Sequence, residues 1–280
     1  MENNTKQKVR EFYDEIGWHE EDSGLYQNAR YEDLRPVSRE YIHKTRMRVL
    51  NGLVPTGKYL LDAGSGPVQY EEYKTYSRGY EKRVCLDISI QALREARNRI
   101  GDHGAFVVGD LANLPFKNDA FDGVVSMHAV HHLPLNEHRV AYQEFHRVTM
   151  AGRKIVVVNG WYRPLIARMT RPLVQLKRLL SGRPLLKPPG TRKNTDDNED
   201  EQTGTFVQKM TPEWFKNEFK GAFNYRIYSW RSLSPRLLIN FIHPKLGGKY
   251  ILKFVFALEE WFPSLLGVIG VYPMVVFKKE

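Results

Sequence analysis

Between residues 58 and 160 five short apolar runs, "KYLLDAG", "RVCLDIS", "GAFVVGD", "FDGVVSMHAV" and "RKIVVVNG", recur with helical or turn-rich stretches between them. Short β-branched runs bounded by glycine are what buried parallel strands require. The intervening "IQALREARNRI" puts Leu93, Ala96 and Ile100 on one face, with Ser89 placed to cap it and Gly101 to stop it. "NEHRVAYQEFHRVTM" likewise aligns Ala141, Phe145 and Val148. Alternation of this kind predicts an α/β fold with a doubly wound, mostly parallel sheet. The helix "TPEWFKNEFK" and the strands "YRIYSW" and "VYPMVVFKK" extend it to seven strands.

Around that core the pattern divides the chain into four parts. Residues 1–50 form an N-terminal helical cap, with Val9, Phe12, Tyr13 and Ile16 in a helical stripe and a second helix over about 37–50. Residues 51–160 form the ligand-binding core. Residues 161–210 form an inserted lid: a basic, leucine-striped helix that Pro172 should break or kink, then a mobile, charge-rich loop over 181–204. Residues 211–280 complete the sheet around a basic, aromatic helical insertion.

The loop "DAGSGPVQY" follows the first strand. Gly64 and Gly66 allow a tight turn and close approach of backbone to a ligand, and in such sheets ligands lie beyond the carboxyl ends of the strands. A dinucleotide fingerprint needs a small residue three positions after its second glycine, where this chain has Gln69. Asp62 beside the turn would repel a phosphate and suit a cationic group. Asp87, about 20 residues on, ends the second strand where a carboxylate accepts from ribose hydroxyls, and Asp110 ends the third, within reach of an adenine amine. The ligand these acids describe has adenine, ribose and a cationic amino-acid tail without phosphates; S-adenosylmethionine fits.

With these motifs in order, "LLDAGSGP", "VCLDIS", "VVGDLANLPFKNDAFDGVVSMHAVHHL" and "FHRVTMAGRKIVVV", the chain resembles class I S-adenosylmethionine-dependent methyltransferases, above all the group containing the ubiquinone and menaquinone biosynthesis enzymes. The resemblance implies a Rossmann-like seven-stranded sheet. It sets Gly64 and Gly66 against the methionine part of the cofactor, with Asp62 ordering its amino group. Asp87 would hold the ribose with Ile88 against adenine, and Asp110 the adenine amine with Leu111 on its plane. Ser126 and Met127 would approach through their backbone, and Tyr13, in a "YD" pair, would close over the cofactor. Val68 stands where a glycine is common, and "TMAGRK" replaces a Pro-Gly-Gly turn.

Simpler readings stand beside these. Each aspartate alone could be a turn or cap residue, and Tyr13 shares its stripe with Phe12 and Ile16 as plain packing would. The histidines His128, His131, His132, His138 and His146 lack the spacing of a helical zinc pair, so no metal is expected. His131 and His132 follow the fourth strand, where a general base for the acceptor would stand. The single cysteine, Cys85, excludes an internal disulfide and lies inside a strand. Neither a signal peptide nor an apolar run of membrane-spanning length is apparent, so a cytoplasmic protein is expected.

The net charge of +10 fits an anionic partner of several kinds. The basic aromatic segments read equally as packing with solvated arginines or as a lid in peripheral contact with an anionic membrane surface. No amine-methylating "NPPY" motif points to nucleic acid. The function expected is methyl transfer to a small acceptor, hydrophobic or amphiphilic: a quinone precursor, a lipid or a lipid-linked sugar. A non-catalytic S-adenosylmethionine-binding protein and a nicotinamide-dependent oxidoreductase are the alternatives.

Overall fold

The computed structural model describes residues 2–18, 32–182 and 205–280, so the loop expected over 181–204 lies almost wholly outside the described residues. Seven strands form one sheet in the order β3-β2-β1-β4-β5-β7-β6. They are β1 (Gly57–Ala63), β2 (Tyr80–Asp87), β3 (Gly104–Val108), β4 (Phe121–Met127), β5 (Thr149–Val158), β6 (Tyr225–Arg231) and β7 (Tyr272–Lys278). The pairings of β1 with β2 and β4, of β2 with β3 and of β4 with β5 are parallel, whereas β7 runs antiparallel between β5 and β6. This is the doubly wound, mostly parallel sheet that the alternating pattern demanded. The strand order reverses between β1 and β4, which opens a crevice at their carboxyl ends.

The central strands bury both faces. Leu61, Val124, Ile155 and Val157 face one core and Leu60, Val125, Val156 and Val158 the other, as the two-residue period of a strand dictates. Helix α1 (Glu2–Phe12) leads into a π-helical turn, Tyr13–Gly17. Two helices, α2 (Pro36–Met47) and the short α3 (Val49–Gly52), then replace the single one expected. After the glycine turn comes α4 (Glu71–Thr75), which the sequence pattern did not reveal. Helix α5 (Ile90–Ile100) starts on the Ser89 hydroxyl, which accepts from Ala92 N–H, and ends at Gly101, φ +52°. Both caps are those read from the sequence. Helix α6 (Leu135–Val148) carries Ala141, Phe145 and Val148 into the first core.

Helix α7 (Leu165–Leu180) continues through Pro172, so the break that was one of the two outcomes expected there does not occur. The hydroxyl of Thr170 donates to the Ile166 carbonyl within that stretch, satisfying one acceptor near the proline. Helices α8 (Pro212–Glu218), α9 (Pro235–Phe241), α10 (Gly248–Trp261) and α11 (Pro263–Ile269) complete the chain. Buried Glu259 ties α10 to the cap: it accepts from Tyr41 Oη at 2.7 Å, Arg48 Nη1 at 2.8 Å and Ser232 N–H at 2.7 Å.

Candidate functional site

The turn after β1 is built around glycine. Gly64 and Gly66 take φ +75° and +53°, and a Cβ on Gly64 would stand 2.2 Å from that of Ala129, so no other residue fits there without a shift. The N–H groups of Gly64 and Ser65 donate to the Leu86 carbonyl at 2.7 and 3.1 Å. Gly66 N–H donates to Asp87 Oδ2 at 2.9 Å, and Ser89 N–H to Asp87 Oδ1 at 2.9 Å. The carboxylate predicted to hold a ribose thus first fixes the glycine turn. Burial raises its pKa to about 6 against those two stabilising bonds. Val68 has φ +52°, a conformation costing a β-branched residue about 1–2 kcal/mol. Its fully buried side chain, packed with Cys85, Leu93 and Ala96, offsets that strain.

Asp62 differs from the expectation of a charge open to a cationic ligand. Arg83 of β2 donates to its Oδ2 through Nε at 3.0 Å and also through Nη2, and both residues are buried. Its charge is therefore compensated inside the sheet. Asp110 is engaged as well: Oδ1 accepts from Ala112 N–H at 2.9 Å, and Lys6 Nζ lies 2.5 Å from Oδ2. Lys6 also lies 2.5 Å from Glu137. Burial disfavours the ammonium, but the bonds to the two acids outweigh it and raise its pKa.

The N-terminal cap lies directly over this crevice. Besides Lys6, Asp14 accepts from Ser89 Oγ at 2.6 Å, and Tyr13 Oη lies 2.8 Å from His132 Nε2. Trp18 stacks on Tyr13 at 5.2 Å and covers Gly66, its ring 3.2 Å from where a Cβ would stand. Tyr13 is buried, in contact with both the lid-like Trp18 and His132. Lys6, Asp14 and Trp18 escaped the sequence reading, because nothing in a polar N-terminal helix marks which of its residues will meet the core.

The remaining expected residues surround the same crevice. Ile88 is half-buried beyond β2, Leu111 is buried with its Cδ1 3.6 Å from the hypothetical Gly64 Cβ, and Ser126 and Met127 end β4. Ser126 Oγ and Gln69 Oε1 are buried without hydrogen-bond partners among the described residues, so polar atoms are held in reserve at the crevice. Such a set fits a polar nucleoside-like ligand: glycine backbone at close quarters, a carboxylate at the end of β2 and unspent polar atoms near β4. It offers no phosphate cradle.

The two histidines after β4 differ. His132 Nδ1 lies 2.8 Å from the Phe206 carbonyl and so carries the proton, leaving Nε2 to accept from Tyr13 Oη. His131 Nδ1 lies 3.2 Å from Asn159 Oδ1, which leaves its Nε2 outside that bond. Burial, then neighbouring positive groups, hold His131 well below the usual imidazole range, so it is neutral. Cys85 is buried in β2 and its thiol is pushed up to about 12 by burial, which removes it as a nucleophile. Among the described residues no cluster of three or more acidic, histidine or cysteine side chains could hold a metal ion.

Comparison with known proteins agrees with this geometry. Residues 61–157 match a family model described as a methyltransferase domain. A demethylmenaquinone methyltransferase of Renibacterium salmoninarum is 34% identical over 108 residues, 39% of this chain and 43% of that protein, so the match spans less than half of the relative. Among solved structures, geranyl diphosphate C-methyltransferase from Streptomyces coelicolor A3(2) superposes with a TM-score of 0.56 at 13% identity, covering 99% of this chain and 98% of the other. Phosphoethanolamine N-methyltransferase 1 of Haemonchus contortus gives 0.58 at 12%, covering 100% of this chain and 50% of the other. At such identities the structures show the fold, and the fold is shared over the whole chain.

Proposed function

We propose that this chain, which carries a class I S-adenosylmethionine-dependent methyltransferase domain, methylates a small acceptor, hydrophobic or amphiphilic in character. The observation that carries the reading is the glycine turn at the strand-order reversal, pinned by the Gly66 N–H to Asp87 and roofed by Trp18 and Tyr13. When bound, S-adenosylmethionine supplies an electrophilic methyl group on a sulfonium sulfur. The protein's part is then mainly to align the two partners and exclude water. On this reading Asp87 accepts from the ribose, Asp110 and Leu111 meet the adenine, and the Gly64–Gly66 backbone with Ser126 and Met127 meets the amino-acid end. Asp62 acts there through the ion pair with Arg83. If the acceptor must lose a proton, His131 is the better-placed base, since both ring nitrogens of His132 are occupied.

A hydrophobic acceptor accords with the demethylmenaquinone methyltransferase likeness and with the outer surface. Helix α7 exposes Met169, Leu173, Leu176 and Leu180, and α10 and α11 expose Tyr250, Phe254, Trp261 and Leu265. Arg168, Lys177, Lys249 and Lys253 stand exposed on the same helices. Lys177 joins α7 to α9 by donating to the Asn240 carbonyl. An apolar face with basic residues around it fits an anionic lipid surface. No described helix is long and apolar enough to cross a membrane.

Calorimetric titration with S-adenosylmethionine, S-adenosylhomocysteine and NAD tests the cofactor. Binding of the two sulfur compounds and silence from NAD is expected; NAD binding alone would overturn the reading in favour of an oxidoreductase. For the surface, flotation with phosphatidylglycerol-containing vesicles should recover the protein and Leu173→Asp with Leu176→Asp should release it. Equal recovery of the double variant would remove the membrane from the proposal.

A further inference from the structure

Two arginines far apart in sequence, Arg46 of α2 and Arg231 at the end of β6, converge on one carboxylate. Arg231 Nη1 donates to Glu32 Oε1 at 2.7 Å, and Arg46 Nη2 lies 3.7 Å from Glu32 Oε2. Both arginines are buried, 6% and 2% exposed. Arg46 reaches one further acid, Glu72, at 3.3 Å. Yet Nε and Nη2 of Arg46 and Nε of Arg231 are sealed from solvent with no hydrogen-bond acceptor among the described residues. Leaving buried donors of a charged group unmatched is costly.

The position of these donors is equally pointed. Arg231 pairs in register with Tyr272, at the same edge of the sheet where β1, β4 and β5 end. Its guanidinium lies 4.9 Å from the Tyr272 ring and 5.1 Å from that of Trp230, while that of Arg46 lies 3.4 Å from the ring of Tyr70, which closes the glycine loop. His128, directly after β4, stands edge-on to Trp230 and Tyr272 at 5.0 and 5.4 Å. Burial and the nearby Arg231 hold its pKa at about 3, so it adds no charge. Aromatic rings and two guanidiniums with spare donors are therefore gathered at the carboxyl ends of β4 to β6, on the side of the sheet away from Asp87 and Asp110.

We propose that the acceptor carries an oxyanion, a carboxylate or a phosphate, and that Arg46 and Arg231 bind it in the place for which Glu32 competes. This rests on the methyltransferase reading, because it assigns the β4–β6 side of the crevice to the acceptor. Guanidinium forks match either oxyanion bidentately, and aromatic walls suit an apolar or ring-bearing remainder. The acceptor is then amphiphilic in a definite sense: an anionic group at Arg46 and Arg231, and the rest against Tyr70, Trp230 and Tyr272.

The test is calorimetric titration of the full chain, saturated with S-adenosylhomocysteine, with inorganic phosphate, pyrophosphate, benzoate and, as a neutral control, benzamide. At least one oxyanion should bind while benzamide does not, and the stronger probe tells a phosphorylated acceptor from a carboxylic one. Arg231→Gln and Arg46→Gln should each weaken that binding at least tenfold. Glu32→Gln, which keeps both arginines and so carries the test if an arginine variant does not fold, should tighten it several-fold. Absence of oxyanion binding in protein that binds S-adenosylhomocysteine, or an unchanged affinity in Glu32→Gln and Arg231→Gln, overturns the assignment and leaves the methyltransferase reading standing. Failure to bind S-adenosylhomocysteine removes both.

Discussion

On one side of the crevice Asp62, Asp87 and Asp110 end adjacent strands, and every one of these carboxylates already has protein partners: Arg83, two backbone N–H groups, and Lys6 with Ala112 N–H. On the other side Arg46 and Arg231 share Glu32 and still hold donors that no described residue accepts. The acidic half is organised before any ligand arrives, with its charges spent on shaping a turn and fastening a cap. The basic half is left unfinished. Preorganisation lowers the ordering cost of binding a fixed cofactor. Unmatched buried donors are tolerated where a ligand is to complete them.

The strongest way to break this contrast is Asp87→Ala, which removes the acceptor of both Gly66 and Ser89 N–H as well as the proposed ribose partner. Loss of such buried charge-assisted bonds amounts to about 2 kcal/mol, or roughly 30-fold in S-adenosylhomocysteine affinity; unchanged affinity would place the cofactor elsewhere. The pH dependence sharpens the same point. Asp87 has its pKa raised from 3.8 to about 6, so the folded state holds its proton more tightly than the unfolded chain. Its contribution to stability is present in full below about pH 4 and is lost as pH rises through 6. Binding that needs the ionised carboxylate runs the opposite way: affinity should fall as pH drops below about 6, and Asp87→Asn should flatten that profile.

Lys6→Ala asks whether the cap is fastened through Asp110. The ion pair is partly exposed, so a loss of about 1 kcal/mol is expected, seen as faster dissociation of S-adenosylhomocysteine in stopped flow. An unaltered dissociation rate would mean that α1 is held by its apolar contacts alone. Tyr13→Phe is the mildest probe. It removes one hydrogen bond to His132 while keeping the ring between Trp18 and the histidine, for about 0.5–1.5 kcal/mol. A two- to tenfold effect on turnover is expected once an acceptor is identified, and no effect would reduce Tyr13 to packing.

Local patterns determine a good deal of this molecule. Periodicity located the strands and the helices α5 and α6, and Ser89 and Gly101 marked the ends of α5, because hydrophobic spacing and capping are properties of consecutive residues. Glycines at positions requiring positive φ and aspartates at strand ends can be read the same way, and the fold gathers them at one crevice. Pro172 shows the limit: its local penalty was read correctly, yet the amphipathic helix around it continues.

What lay beyond the sequence is everything that depends on residues meeting across the fold. Arg83 neutralising Asp62 required the register of β2 on β1, in which Asp62 stands beside Cys85. Trp18 over Gly66 and Lys6 on Asp110 required the cap to dock. The convergence of Arg46 and Arg231 on Glu32 required β7 to turn back between β5 and β6, which brings the end of β6 to the same edge as the glycine turn. Sequence spacing encodes which face of an element is apolar, whereas the partners of a charge are set by the packing of elements distant along the chain. The acidic side of the crevice was legible for the first reason, and the convergence of the two arginines became visible only through the second.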